Sequence, residues 1–111
     1  MVAASSAARR RGERRGPADS ESMWYTYVLF SKKSKRKYIG STGDLKRRVS
    51  EHNKGIGGKY TRDNRPFTLL FYEAFLSKKD AEKQEKFYKT GYGREVLNGK
   101  IVNSSSESGV I

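Results

Sequence analysis

Four side chains in this 111-residue chain combine proton-handling and anion-binding chemistry at regular spacing. Tyr27 and Tyr38 lie eleven residues apart, Arg48 follows Tyr38 by ten, and His52 follows Arg48 by four. The last two share a face of a helix. Arginine presents a fixed fork of donors that suits phosphate oxygens, which lysine cannot match. Tyrosine has an ordinary pKa near 10, so it acts as a base only where nearby cations stabilise the phenolate. The chemistry open to this set is proton transfer beside a bound phosphate. Each residue also has a plainer reading. Strand tyrosines are commonly amphipathic packing residues, a helical arginine is commonly solvated or paired, and Arg47 stands directly beside Arg48.

Other chemistries are excluded by composition. There is no cysteine, hence no disulfide framework, Cys-based zinc site or thiol nucleophile. One histidine cannot build a multi-histidine metal site, and no GxSxG, Walker or HExxH pattern is present. Gly55–Ile56–Gly57–Gly58 follows a helical stretch rather than a strand, which argues against a phosphate loop. Lys+Arg number 24 against 12 Asp+Glu, a formal charge of +12, and only 34% of residues are hydrophobic. No apolar run approaches the roughly 20 residues of a membrane span. A basic, cytoplasmic protein with a polyanionic partner is expected. The turn Lys32–Lys37 reads equally as a nuclear-localisation or nucleic-acid patch and as a solvated, lysine-blunted turn.

Composition divides the chain once. Residues 1–22 are rich in Ala, Ser, Arg and Gly, and five Arg against Glu13, Asp19 and Glu21 give them +2 of the +12. They are expected to be a disordered basic extension, because they hold too little apolar surface to offset ordering entropy. The other +10 belongs to the domain, expected over 23–101, with 102–111 a flexible tail. Trp24–Phe30 is dense in aromatic and β-branched residues and predicts a strand. Lys37–Gly40 predicts its hairpin partner. Thr42 and Asp44 offer capping oxygens to a helix over about 45–53 that ends at Gly55. A loop then runs to Pro66, a third strand covers 67–75, and a helix opens at Ser77, where Ser77 and Asp80 resemble a capping box. That helix runs to Thr90, and a short helical turn near Arg94–Leu97 follows. The order β-β-α-β-α predicts an α+β fold, a three-stranded, mainly antiparallel sheet flanked by helices. Trp24, Phe30, Leu70, Phe71 and Phe87 are the expected core.

The spaced set resembles the GIY-YIG nuclease family. Tyr25–Thr26–Tyr27 stands where that family has Gly-Ile-Tyr, and Tyr38–Ile39–Gly40 is its second motif intact. Asp44 to Asn53 is similar to the family's first-helix signature. Tyr60, Thr61 and Arg65–Pro66 resemble a loop of its small single-domain members, and Asp80–Ala81, Gln84–Lys86, Lys89 and Gly91–Arg94 resemble their second helix and the turn after it. The likeness spans about residues 24 to 98. Tyr25 departs from the family glycine, and Ser41 stands where the excision-repair incision subunits carry a lysine.

The resemblance implies a metal-dependent endonuclease acting on DNA, with Mg²⁺ or Mn²⁺ as cofactor and branched or single-stranded DNA among its expected substrates. It implies catalytic roles for Tyr27, Tyr38, Arg48 and His52, and makes Glu85 the metal-binding carboxylate. A lone carboxylate suits Mg²⁺, which keeps most of its waters and shares phosphate oxygens. Lys37, Arg47, Lys54, Lys59, Arg62, Lys89 and Arg94 are the expected nucleic-acid contacts, and Asn98 is a further candidate. The plainer role of Glu85 is an i,i+4 pair with Lys89, and His52 is expected as a hydrogen-bonding partner at the site edge. The alternative function is a basic nucleic-acid-binding module with weak or no catalysis.

Overall fold

The computed structural model describes residues 23–56 and 58–107. The expected extension, residues 1–22, lies outside the described residues. Strand β1 (Trp24–Ser31) is central in a three-stranded sheet of order β2-β1-β3, between β2 (Arg36–Thr42) and β3 (Phe67–Phe75), and both pairings are antiparallel. The α+β class and the three-stranded antiparallel sheet expected from sequence are therefore present. The β1–β2 turn closes through the Lys35 N–H, which donates to the Ser31 carbonyl at 2.8 Å, with Lys35 at φ 61°.

Alternation along β1 divides its side chains between two layers. Tyr27 and Leu29 face helix α1 (Leu45–Lys54), packing with Phe67, Leu69, Leu45, Val49 and Tyr38. Val28 and Phe30 face the opposite layer, helices α3 (Lys78–Tyr88) and α4 (Gly91–Lys100). There they meet Leu70, Tyr88, Leu97 and Ile101. A bulge in β3 shifts register between Val28 and Leu29. One β3 residue is thereby left unpaired, so Leu70 and Phe71 both pack into the α3–α4 layer. Phe30 and Leu70 are buried as expected, while Phe71 and Phe87 are partly buried. Trp24 belongs to neither cluster; it lies at the sheet end under the Lys78 ammonium, 5.3 Å from the ring centroid.

Helix α1 is defined at both ends by its sequence. The Asp44 carboxylate accepts from the Arg47 N–H at 3.1 Å, and Thr42 Oγ1 accepts from the Asp44 N–H at 3.1 Å. Gly55 closes the helix at φ 80°, a left-handed turn that glycine adopts without strain. Asn53 then clips α1 to β3, accepting from the Phe67 N–H at 2.6 Å and donating to the Phe67 carbonyl at 3.3 Å.

Four expectations need correction. The stretch expected as loop before Pro66 contains helix α2 (Lys59–Asn64), supported by a Lys59–Asp63 pair one turn apart at 2.6 Å. The short turn expected near Arg94 is the ten-residue α4, capped by Thr90 Oγ1 on the Gly93 N–H at 3.0 Å. Within the expected tail, Val102–Glu107 forms helix α5 with Ser105 buried. Ser77 holds the N-cap of α3, but its side chain makes no capping hydrogen bond. Asp80 contributes there only its charge in the first turn, near the positive helix end.

A polar knot joins β3 to both large helices of the second layer. Glu73 accepts from Tyr88 at 2.6 Å, from Gln84 at 3.0 Å and from Lys100 at 2.8 Å. Burial would raise the Glu73 carboxyl, but these three donors outweigh it and hold it below the ordinary range. The apolar part of the same layer carries a direct test. Leu97 is 1% exposed among Val28, Phe30 and Ile101, so Leu97→Ala should cost about 2–5 kcal/mol in urea unfolding. A loss below about 1 kcal/mol would mean that α4 does not seal this layer.

Candidate active site

Tyr27 and Tyr38 both project to the α1 side of the sheet, from neighbouring strands. Gly40 sits directly across from Tyr27 in the β1–β2 register, and the Tyr27 ring lies over it. A Cβ at position 40 would come within 2.5 Å of the Tyr27 hydroxyl and 2.7 Å of Cζ. The glycine of the Tyr38–Ile39–Gly40 motif is thus the floor on which the first tyrosine rests.

Two groups reach the Tyr27 hydroxyl from α1. His52 Nε2 is 3.2 Å away, and the Arg48 guanidinium is within hydrogen-bonding reach from one turn earlier on α1. Tyr38 and Glu85 are its further electrostatic neighbours. Tyr27 is 1% exposed. Burial raises its pKa and outweighs the lowering by Arg48, so it remains a protonated hydroxyl. Arg48 is held cationic, first by Tyr27 and also by Glu51, whose Oε1 lies 3.3 Å from its Nη1.

His52 makes a hydrogen bond at the site but differs from expectation in place. It is fully buried behind Tyr27 rather than at the site edge, edge-on to Tyr38 at 5.1 Å and to Phe67 at 5.9 Å. Burial, then the Arg48 charge, lowers its pKa, so the ring is neutral near pH 7. Its Nδ1 is buried without a hydrogen-bond partner among the described residues. An orphaned buried N–H is rarer than a bare acceptor, which assigns the proton to Nε2, donating to Tyr27. The Tyr27 oxygen then accepts from His52 and faces Arg48. Its own hydrogen is then left for another acceptor.

Glu85 reaches the same region from the opposite layer. Its Oε1 accepts from Ser41 Oγ at 2.7 Å, and its Oε2 accepts from Lys89 Nζ at 2.8 Å. The pair with Lys89 was legible from the spacing; the bond to Ser41, 44 residues away, was not. No group of three or more His, Cys, Asp and Glu gathers among the described residues, so no protein-only metal cage is present there. The donors fit Mg²⁺ in another way. One carboxylate held by a hydroxyl could anchor such an ion, which takes most of its ligands from water and phosphate.

A groove of about 470 Å³ runs along the outer edge of β2, lined in part by Arg36, Lys37, Tyr38, Lys89, Arg94 and Asn98. Of the expected nucleic-acid contacts, Lys37, Lys89 and Arg94 converge here, beside Tyr38. Asn98 joins them. The other four do not line it. Arg47 pairs with Asp44 and Glu51, Lys59 and Arg62 pair with Asp63, and Lys54 is exposed at the end of α1. Sequence reasoning missed Arg36, visible only as part of a basic turn, and Ser41, visible only as a departure from the family lysine.

Two tests follow from this geometry. Gly40→Ala should destabilise the fold by roughly 1–3 kcal/mol through overpacking, and adding Tyr27→Phe should recover part of that loss. No recovery would place the collision elsewhere. The lowered His52 pKa means the unfolded chain binds more protons than the native one as pH falls below about 6.5. His52 therefore makes native stability decline with acid from that point down through its lowered folded value. His52→Gln should flatten this limb, by up to about 1.4 kcal/mol per pH unit, in urea titrations between pH 7 and 5. Parallel curves would mean that His52 titrates normally.

A model of the GIY-YIG catalytic domain matches residues 23–99. The chain is 43% identical over 96 residues to the UPF0213 protein in the ldhD 5′ region of Pediococcus acidilactici, covering 80% of this chain and 97% of that protein. It is 48% identical over 65 residues to a UPF0213 protein of Streptococcus pyogenes, covering 59% of this chain and 70% of the relative. The solution NMR structure of a UPF0213 protein from Bacillus halodurans is 37% identical with a TM-score of 0.44, covering 69% of this chain and 83% of that one.

Proposed function

We propose that this chain, which belongs to the GIY-YIG family, hydrolyses phosphodiester bonds in DNA with Mg²⁺ or Mn²⁺ as cofactor. The observation that carries this reading is the Tyr27 hydroxyl, which His52 and Arg48 reach from α1 and on which Tyr38 of β2 and Glu85 of α3 act electrostatically. Hydrolysis needs a positioned water, compensation of charge on the phosphate and a stabilised leaving oxygen. Arg48 supplies a donor fork to the non-bridging oxygens. Tyr38 lines the groove, and we assign it to take the proton of the attacking water. Tyr27 stays protonated and orients water or phosphate, and neutral His52 fixes its hydroxyl. Glu85, steadied by Ser41, would hold the metal, which when bound polarises the phosphate and stabilises the leaving oxygen. Lys37, Arg94 and Arg36 would guide the strand along β2. Such phosphate contacts carry no sequence information, so specificity is expected to come from substrate shape.

One observation favours the alternative, a binding module without catalysis. Both Glu85 oxygens already have protein partners, Ser41 and Lys89. Cleavage and binding measured side by side on the same DNAs, with and without Mg²⁺, separate the readings. Glu85→Gln should keep affinity in EDTA and nearly abolish metal-dependent cleavage. Tyr38→Phe should lose about 10²–10⁴-fold in rate with stability little changed. Full cleavage by Glu85→Gln would remove the metal assignment. A parent protein that binds but never cuts in any divalent metal is the binding module.

A further inference from the structure

The α1 side of the sheet is only partly covered. Helix α1 seals Tyr27, Leu29 and Phe67 through Leu45 and Val49, but Tyr72 and Ala74 on β3 remain exposed, with Tyr25 half-buried beside them. Tyr72 is 52% exposed, unusual for a large ring on an otherwise buried sheet face. Register places it directly opposite Tyr27, and Tyr25 directly opposite Ala74. The small Ala74 leaves room around the rings. Tyr25 and Tyr72 meet edge-on, centroids 5.8 Å apart at 70°, so each braces the other. An aromatic surface therefore begins one strand away from the hydroxyl around which the site is built. The charges nearby are Arg48 beside Tyr27 and Asp44 near Tyr25, the latter paired with Arg47 at 3.6 Å.

We propose that Tyr72, braced by Tyr25, is a stacking platform for an unpaired nucleobase of the strand whose backbone passes the site. The inference rests on nucleic acid being the substrate and adds its class: single-stranded or flapped DNA over continuous duplex. A paired base is already stacked on both faces, whereas an unpaired base offers a free face that an exposed ring can cover. Continuity supports this occupant, since the platform adjoins the Arg48–Tyr27 pair that would face the phosphate. Charge is compatible with it, because the +12 chain attracts a polyanion and the Arg48 cation lies beside Tyr27. Residues 1–22, which lead into β1, are the competing occupant.

The full chain, Tyr72→Leu and Tyr72→Phe are compared for binding of a fluorescent oligo-dT strand and of a blunt duplex, in EDTA at fixed salt. Tyr72→Leu should weaken single-strand affinity roughly 5- to 100-fold, the range for one base–aromatic stack. It should change duplex affinity less than about twofold, the margin we take for a lost contact that no duplex base uses. Tyr72→Phe keeps the ring and should bind like the parent. Equal loss on both DNAs, or no loss on either, overturns the platform. A lowered melting temperature without selective loss of single-strand binding overturns it too, and points to the chain's own N-terminal residues as the cover. The two readings fail separately. A parent that never cuts but binds single strands through Tyr72 retires the nuclease and keeps the platform; normal cutting indifferent to Tyr72→Leu retires the platform alone.

Discussion

Burial of the Tyr27 hydroxyl is the constraint around which the rest of this structure is arranged. A phenol taken out of water must find partners, since an unmet buried polar group costs about 1–3 kcal/mol. Here they come from one helix, His52 at 3.2 Å and Arg48 a turn before it. That requirement fixes the rotation of α1 on the sheet. It fixes position 40 as well, because only a residue without Cβ lets the ring lie flat across β2. The same burial keeps His52 neutral and Tyr27 protonated, so the packing sets the charge state of the site.

The two layers contribute unequal chemistry. Cation and hydroxyls come from the α1 side, whereas the carboxylate comes from α3 on the other. Glu85 is held by Ser41 of β2, an edge strand of the sheet, and from there acts electrostatically on the Tyr27 hydroxyl. A fourth strand beyond β2 would separate them. The second layer is fastened by the Glu73 knot with Tyr88, Gln84 and Lys100. That knot positions α3, and with it Glu85, without taking part in the chemistry.

Much of this was legible in the sequence, for identifiable reasons. Strands β1 and β3 announce themselves by aromatic and β-branched density, and α1 by Asp44 at one end and Gly55 at the other. Helix α4 was undervalued because GYGREVLNGK contains three glycines; burial of Leu97 and Ile101 outweighs their poor propensity. Helix α2 carries a Lys59–Asp63 pair and buries Thr61, and α5 buries Ser105, none of which shows as a periodic apolar face. Within the site, Tyr27, Tyr38 and Arg48 were readable because their spacing is local to one hairpin and one helix. The Ser41–Glu85 bond was not, because it joins segments 44 residues apart.

Among the described residues no strand neighbours the outer margin of β2, and such a margin tends to recruit another chain. Arg36 and Lys37 stand on that strand, exposed, facing the groove that we assign to a phosphate backbone. Like charges brought together there repel, which opposes two copies zipping edge to edge. Solubility and substrate attraction are thus served by the same two side chains. Neutralising them would loosen the grip on a nucleic acid and, in the same stroke, expose the sheet to self-association.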